Sequence, residues 1–321
     1  MKSATCTVCP VCKGKAPHWA LIAGSSYYRC LSCTLIFLWP PPDPEAVKSY
    51  YEGAFAVIAC RKQRSEADLL SLLSSHRPGP SLLDVGAGWG DLITEAEKMG
   101  FQCEAVEIRE DCVLSLREKE FPVFHGTFQD YRPEKHYDCV TMLHTLEHMV
   151  DPAGTLRHAS SLLTEGGLCA LTVPNADSLA FRIWRQYSEW FQPGGHLFHF
   201  SPSSLRNLLI REHFEIVELV TRRSFAPTFL GHTLFYLPIA ALKASGFYYG
   251  VRRKVGESQQ SKSRSKPPLA LSLLHGYLEA ANLLSLPFHH ISKPLWKWYE
   301  KRLMGDEIVV VARRMASCFM Q

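Results

Sequence analysis

Four cysteines, a glycine turn flanked by acids and four histidines are the residues of this chain whose types and spacing could do chemistry. Cys9-Pro-Val-Cys12 and Cys30-Leu-Ser-Cys33 are two CxxC pairs separated by 17 residues. Each pair can form a turn whose backbone NH groups support two thiolates, and two such knuckles make a closed tetrahedral site for a structural zinc. Cys6 stands three residues before Cys9, so the register could slip; we read it as a spare thiol. A redox CxxC needs a strand–helix context, whereas this segment is punctuated by Pro and Gly. The second group lies in Ser81 to Thr94, SLLDVGAGWGDLIT, an apolar strand, a tight turn and the start of a helix. Its spacing is Gly86-x-Gly88-x-Gly90, and Asp91 stands where a dinucleotide fingerprint has its third glycine. A phosphate cradle has little use for Asp84 and Asp91 beside the anion. A carboxylate there suits a ligand that carries positive charge and no phosphate.

The elements that must position these groups follow from the pattern. Strand Gln102 to Ile108 contains Glu107, 19 residues after Gly88. In a parallel sheet that acid reaches the carboxyl end of strand 2, facing the same crevice as the glycine turn. There it can accept bidentate hydrogen bonds from ribose hydroxyls; a surface charge is the plainer alternative. A helix from Asp111 to Lys119, a short strand Pro122 to His125 and the loop Gly126 to Asp130 come next. A strand from His136 to Leu143 leads into His144-Thr145-Leu146-Glu147-His148. A helix with Pro152 in its first turn runs to Leu163 and ends in Glu165-Gly166-Gly167, and a strand Leu168 to Val173 runs into Pro174-Asn175. Strands and helices alternating at this length mean an α/β, doubly wound parallel sheet. From Asp43 to Leu73 the spacing is helical. Tyr50 and Tyr51 there either line a cleft or pack a lid helix on the sheet.

The order of strand, GAGWG, acid, LEHMVDP, helix, LLTEGG, strand and VPN resembles the class I S-adenosylmethionine (SAM)-dependent methyltransferases, with the glycine turn as their motif I. The cysteine pairs, the YRCLSC segment and the prolines 40–44 resemble a bacterial subgroup with a zinc-binding module ahead of the methyltransferase domain. The resemblance implies a Rossmann-like seven-stranded sheet whose last strand is antiparallel. It also implies a cofactor, SAM, held by Asp84, Gly86, Gly88, Gly90 and Glu107. Thr127 or Phe128 would wall the adenine, and Leu143 would lie near the methyl. The segment MLHTLEH resembles that of ubiquinone-biosynthesis O-methyltransferases, in which a Glu stands where His144 stands here and, with the Glu-His pair, goes with a divalent metal. A base for a hydroxyl acceptor would be a histidine, which titrates nearest neutral pH. His144, His148, His196 and His199 are the candidates, with His196 ranked first on the acceptor side and His144 second. Glu147 and His148 could equally be a buried pair that orients the loop.

At 321 residues the chain divides into a zinc ribbon (1–45), a helical cap or linker (46–78), a SAM-binding core (79–223), an insertion (224–304), and a last strand with tail (305–321). The last strand is DEIVVVARR. The insertion combines an apolar segment with Val251 to Pro267, which holds six basic residues against one Glu, and with Trp296, Trp298 and Tyr299. That composition suits an anionic membrane surface, and equally a helical cap or dimer interface. Eleven cysteines and no apolar leader point to a reducing cytoplasm, with peripheral attachment to the inner face of the membrane through the insertion. The acceptor expected is a small molecule, a sugar or a lipid-linked glycan intermediate. Nucleic acid is disfavoured: net charge is +4, the first 45 residues hold four Lys or Arg, and no Asn/Asp-Pro-Pro-aromatic signature is present. A SAM-binding scaffold without activity is the non-enzymatic alternative.

Overall fold

The structure, a computed structural model, describes residues 6–54, 65–76, 79–188, 191, 195–222, 240–243, 245, 298 and 301–315. The chain begins with an antiparallel meander, β1 (Cys6–Val8), β2 (Lys15–Ile22), β3 (Ser25–Arg29) and β4 (Ile36–Leu38). Helical residues follow over α1 (Pro44–Ala54) and α2 (Ser65–Ser75), within the stretch the sequence reads as helical. The Asp43 carboxylate accepts from the Glu45 amide at 3.1 Å at the start of α1. Leu69, Leu70 and Leu73 of α2 are fully buried on one stripe.

The core alternates as expected: β5 (Ser81–Val85), α3 (Asp91–Lys98), β6 (Gln102–Glu107), α4 (Glu110–Glu118), β7 (Val123–His125), β8 (Tyr137–Leu143), α5 (Pro152–Leu162) and β9 (Leu163–Pro174). Then come α6 (Leu179–Trp184), β10 (Phe198–His199), α7 (Pro202–Arg211), β11 (Phe214–Arg222) and β12 (Glu307–Arg314). The main sheet runs β11-β12-β9-β8-β5-β6-β7. Pairing is parallel from β7 to β9, and β12 is antiparallel to both of its neighbours. The fold is therefore the Rossmann-like, seven-stranded methyltransferase architecture. Strand order reverses at β5, so the crevice at the carboxyl ends of β5 and β8 is where this topology binds ligands.

Two local differences from the sequence reading have physical causes. β9 starts at Leu163, five residues before the expected Leu168, because Glu165-Gly166-Gly167 bulges within the strand instead of ending the helix. The pairing jumps from Tyr137↔Leu163 to Cys139↔Leu168, with Gly166 at φ 72° and the Thr164 hydroxyl donating to Asp138 at 3.3 Å. The last strand enters between β9 and β11, so it pairs on both edges and not only with its hairpin partner. Residues Ile308 to Ala312 are accordingly 0% exposed, which explains the unbroken IVVVA run. Most of 224–304 lies outside the described residues, including the basic stretch, Trp296 and Tyr299; no helix among the described residues is long and apolar enough to cross a membrane.

β9 is held on both sides and Leu171 is fully buried in its core face. Leu171→Ala should therefore cost about 2–5 kcal/mol in urea unfolding, the range for a buried leucine that leaves a cavity.

Candidate functional site

The glycine turn joins β5 to α3 at the crevice. Gly86 has φ +75°, and a Cβ there would lie 2.6 Å from the Thr145 hydroxyl. Gly90 has φ +80°, and a Cβ there would meet Leu116 at 2.5 Å. Gly86 and Gly90 are thus required by backbone conformation and by close approach together. Glu107 is buried and its carboxylate closes the turn: Oε2 accepts from the Gly88 amide at 2.7 Å, and Oε1 accepts from the Ile108 and Arg109 amides at 2.9 Å each. It is not a surface charge. Asp84 is buried one strand away and accepts from the Thr141 hydroxyl at 2.7 Å. Burial pushes its carboxyl up to about 7, the Thr141 bond opposes that, and the nearby Glu107 charge adds to it.

The loop after β8 carries a buried charge cluster. His144 has φ 48°, and its Nε2 lies 2.5 Å from Glu307 Oε1 while its Nδ1 lies 3.5 Å from Glu147 Oε1. Both carboxylates are buried. Burial alone would lower the imidazole, but the two carboxylates outweigh it and raise His144 to about 10. His144 therefore stands as a cation at neutral pH, which corrects its ranking as second acceptor-side base: it has no lone pair to offer. Glu147 receives no hydrogen bond at either oxygen among the described residues, and the charge that faces it is the His144 cation, with Nδ1 at 3.5 Å.

His148 faces the other way. The Tyr51 hydroxyl donates to the Gly195 carbonyl at 2.7 Å, which uses its only proton. His148 Nδ1 lies 2.5 Å from that hydroxyl and 3.0 Å from the same carbonyl, so Nδ1 must carry the ring's proton and donate. In the neutral ring the lone pair is on Nε2, toward Glu147 and His196. The His148 and His196 rings meet edge to face at 4.8 Å. Glu147, His148 and His196 each offer a ligand atom within 4.8 Å of the others, a mixed N/O set that could hold a divalent cation. His199 is buried and stacked on Phe191 at 4.1 Å, and burial with His148 lowers it to about 3, so it stays neutral.

Of the residues read as an adenine wall, Phe128 is turned into the core against His158 at 4.6 Å, because the short 3-10 turn 128–130 rolls it under α5. Thr127 stays half-buried, its hydroxyl bonded to Asp130 at 2.5 Å. Leu143 is half-buried at the end of β8. Tyr51 is on the cleft side of α1. Thr141, Thr145 and Glu307 are site residues that sequence reasoning did not single out. Glu307 had a signal: an acid opening an otherwise apolar strand.

The four cysteines converge. Cys9–Cys33 and Cys12–Cys30 sulfurs lie 3.7 and 3.3 Å apart, and all four lie within 4.8 Å of one another. A zinc–sulfur bond of about 2.3 Å needs sulfur edges near these lengths. The two knuckles repeat one backbone design. Cys9 N donates to Gly14 O and Lys13 N to Cys9 O; Cys30 N donates to Leu35 O and Thr34 N to Cys30 O. Lys13 and Thr34 share φ near +60°. The Cys33 thiol donates to Cys9 and lowers it to about 5, so one thiolate is already favoured.

The fold and this site define a class I SAM-dependent methyltransferase. A methyltransferase-domain family matches residues 59–219, half of the chain, and the chain belongs to it. The ubiquinone biosynthesis O-methyltransferase of Xanthomonas campestris pv. campestris is 32% identical over 114 residues, which are 33% of this chain and 48% of that protein. That of Xanthomonas oryzae pv. oryzae is 29% identical over 119 residues. The chain thus spans about half the length of these curated relatives. Among solved structures, a magnesium protoporphyrin IX methyltransferase from Synechocystis PCC 6803 matches over 48% of this chain and 74% of its own, with 18% identity and TM-score 0.41. A SAM-bound amino pentose methyltransferase from Micromonospora echinaspora matches over 33% of this chain and 48% of its own, with 23% identity and TM-score 0.31.

Removing the His144 cation strands two buried carboxylates. His144→Ala should cost about 3–5 kcal/mol at pH 7. A raised histidine contributes stability fully present below its unfolded value of 6.5 and lost as pH rises through about 10. Wild type and variant should therefore converge in urea unfolding as pH approaches 10, and a constant gap would refute the assignment.

Proposed function

We propose that this chain transfers the methyl group of SAM to a hydroxyl of a small molecule, a sugar or a lipid-linked glycan intermediate. The observation that carries the donor side is the pair of buried acids on either side of the glycine turn, at the point where strand order reverses. When bound, SAM supplies a methyl group already activated on a sulfonium. The chain's residues bind it, align the acceptor and take up a proton. The turn Gly86–Gly88 lets backbone approach the methionine part. Asp84, poised near 7, is ionised by an ammonium group beside it. Glu107 spends three of its roughly four lone-pair sites on backbone amides, two on Oε1 and one on Oε2, and the one left on Oε2 can accept from a ribose hydroxyl. Thr127 lies beside the adenine and Leu143 beside the methyl.

On the acceptor side His196 remains the first candidate base. His148 ranks next, because Tyr51 and Gly195 hold its proton on Nδ1 and leave Nε2 to accept. The Glu147–His148–His196 group could instead hold a divalent cation that lowers the acceptor's proton affinity. A structural zinc at the four thiolates, with every position filled by protein, has no open site for chemistry. Peripheral membrane attachment through 224–304 is a further part of this reading, supported by the basic run Val251 to Pro267 and the aromatics near 296–299.

Calorimetry with SAM tests the donor side. Glu107→Ala should weaken binding at least about tenfold, or 1.4 kcal/mol. Unchanged affinity would remove the ribose role. Wild-type affinity should rise from pH 6 to pH 8 as Asp84 ionises, and Asp84→Asn should flatten that rise. Labelled methyl from SAM, offered to lipid, glycan and RNA fractions of a cell extract, should enter the lipid or glycan fraction; label confined to RNA would overturn the acceptor class.

A further inference from the structure

The thiolate module and the methyltransferase core share a strand. β10 pairs antiparallel with β4, Phe198 opposite Phe37 and His199 opposite Ile36, and becomes the fifth strand of the ribbon sheet. Leu38 N donates to Leu197 O at 2.9 Å, which extends that pairing back toward His196. The other edge of the segment belongs to the core: Leu197 N donates to Glu147 O at 2.9 Å, and Ala176 N to Phe200 O at 2.7 Å. Residues 196–200 are thus clamped between the ribbon on one side and the charged loop with the end of β9 on the other.

The clamp reaches the cysteines directly. The Cys33 carbonyl accepts from the Ser201 and Ser203 hydroxyls at 3.3 and 3.2 Å, and the Thr34 and Ser201 hydroxyls lie 2.7 Å apart. Ser201 is also the N-cap of α7. The Arg211 guanidinium, at the end of α7, donates to the Val11 carbonyl inside the first knuckle. Cys9, Cys30, Cys33 and Phe37 lie in one continuous core with Leu197, Phe198, Phe200 and Val173. Tyr27 of β3 packs on Phe191 at 4.7 Å, and Phe191 stacks on His199.

We infer that the four-cysteine cluster is a positioning element for the acceptor side: its metal fixes β4, β4 fixes β10, and β10 fixes His196 beside Glu147 and His148. A ribbon of this size has too little apolar surface to hold itself, so its order follows metal occupancy. A two-residue strand has no stability of its own and persists only while its partner strand does. By contrast, the hydrogen bonds of Asp84 and Glu107 described above end on β8, the glycine turn and the residues just after β6. Metal loss should therefore separate the two halves of the site, loosening the acceptor wall and leaving the donor seat. Only the name "acceptor side" rests on the proposed function; the coupling itself does not.

Hydrogen exchange on the full chain reads this without any acceptor. The chain is compared with zinc bound, after removal by a chelator under reducing conditions, and after zinc is returned. Peptides over 196–200 and Leu38 should exchange at least tenfold faster without metal and recover with zinc, while peptides over 82–90 and 103–107 and the SAM dissociation constant change less than twofold. Phe37→Ala is the second arm, because it keeps the thiolates. It should retain about one zinc per chain and still speed exchange at 196–200. Unchanged exchange at 196–200 after metal loss would overturn the inference, as would a uniform rise over the whole core. A fall in SAM binding already present with zinc bound would count against the proposed function alone.

Discussion

The carboxylates of Asp84, Glu107, Glu147 and Glu307, buried at one end of one sheet, are the constraint around which this molecule is arranged. Asp84 and Glu107 lie at the ends of β5 and β6, Glu147 follows β8, and Glu307 opens β12 beside the end of β9. Withdrawing an ionised carboxylate from water costs several kcal/mol unless it is paired or hydrogen-bonded. The fold meets that cost in three ways. Glu107 is met by three backbone amides, and Glu147 and Glu307 are met by the His144 cation between them. Asp84 has one hydroxyl, so its carboxyl sits near neutrality. A positive charge beside it would favour its ionised form.

The same electrostatics divides the histidines by role. His144 is committed to two carboxylates and is protonated. His199 is packed against a ring in an apolar layer and is neutral. His148 is held by Tyr51 from α1 and by the Gly195 carbonyl, and this fixes which nitrogen accepts. Three residues of one type, close in space, are thus set apart by their neighbours alone. α1 bonds to the loop it covers, and that gives the helix between the ribbon and the core a part in the site.

The glycine turn and the two acids beside it were legible because they are local. The turn geometry, the acid at Asp84 and the acid 19 residues after Gly88 all follow from one strand–turn–helix unit and the neighbouring strand. The CxxC spacing was legible for the same reason. Phe128 was misjudged because which way a loop aromatic rolls depends on α5, far along the chain. His144 could not be ranked correctly from its neighbours in sequence, because the carboxylate that governs it, Glu307, is 163 residues away. Thr145 gave no local signal either, and Tyr51 only the open choice between a cleft wall and a lid helix. Their importance is set by what lies across the crevice.

The placement of the long insertion follows from the same edge. Sequence places it between the last two strands, and the structure shows where its ends are anchored. β11 leaves the sheet at Arg222 and β12 returns at Glu307, opposite one another in register. The returning end is pinned there: Asn175 donates to the Leu303 and Gly305 carbonyls at 3.1 and 2.7 Å, and Gly305 N donates to the Thr221 hydroxyl at 3.0 Å. Asn175 follows β9, two strands from the glycine turn in the sheet order, and Glu307 is the partner of His144. A segment anchored at the opposite end of β11 and β12 would leave the sheet far from any buried charge. Anchored here, the described ends of the segment, Arg222 and Glu307, meet at the strand end that carries the His144–Glu307 pair. The elements that differ most from a minimal methyltransferase therefore attach at this edge of the sheet, the ribbon through β10 beside the Glu147 backbone and the insertion through Asn175 and Thr221.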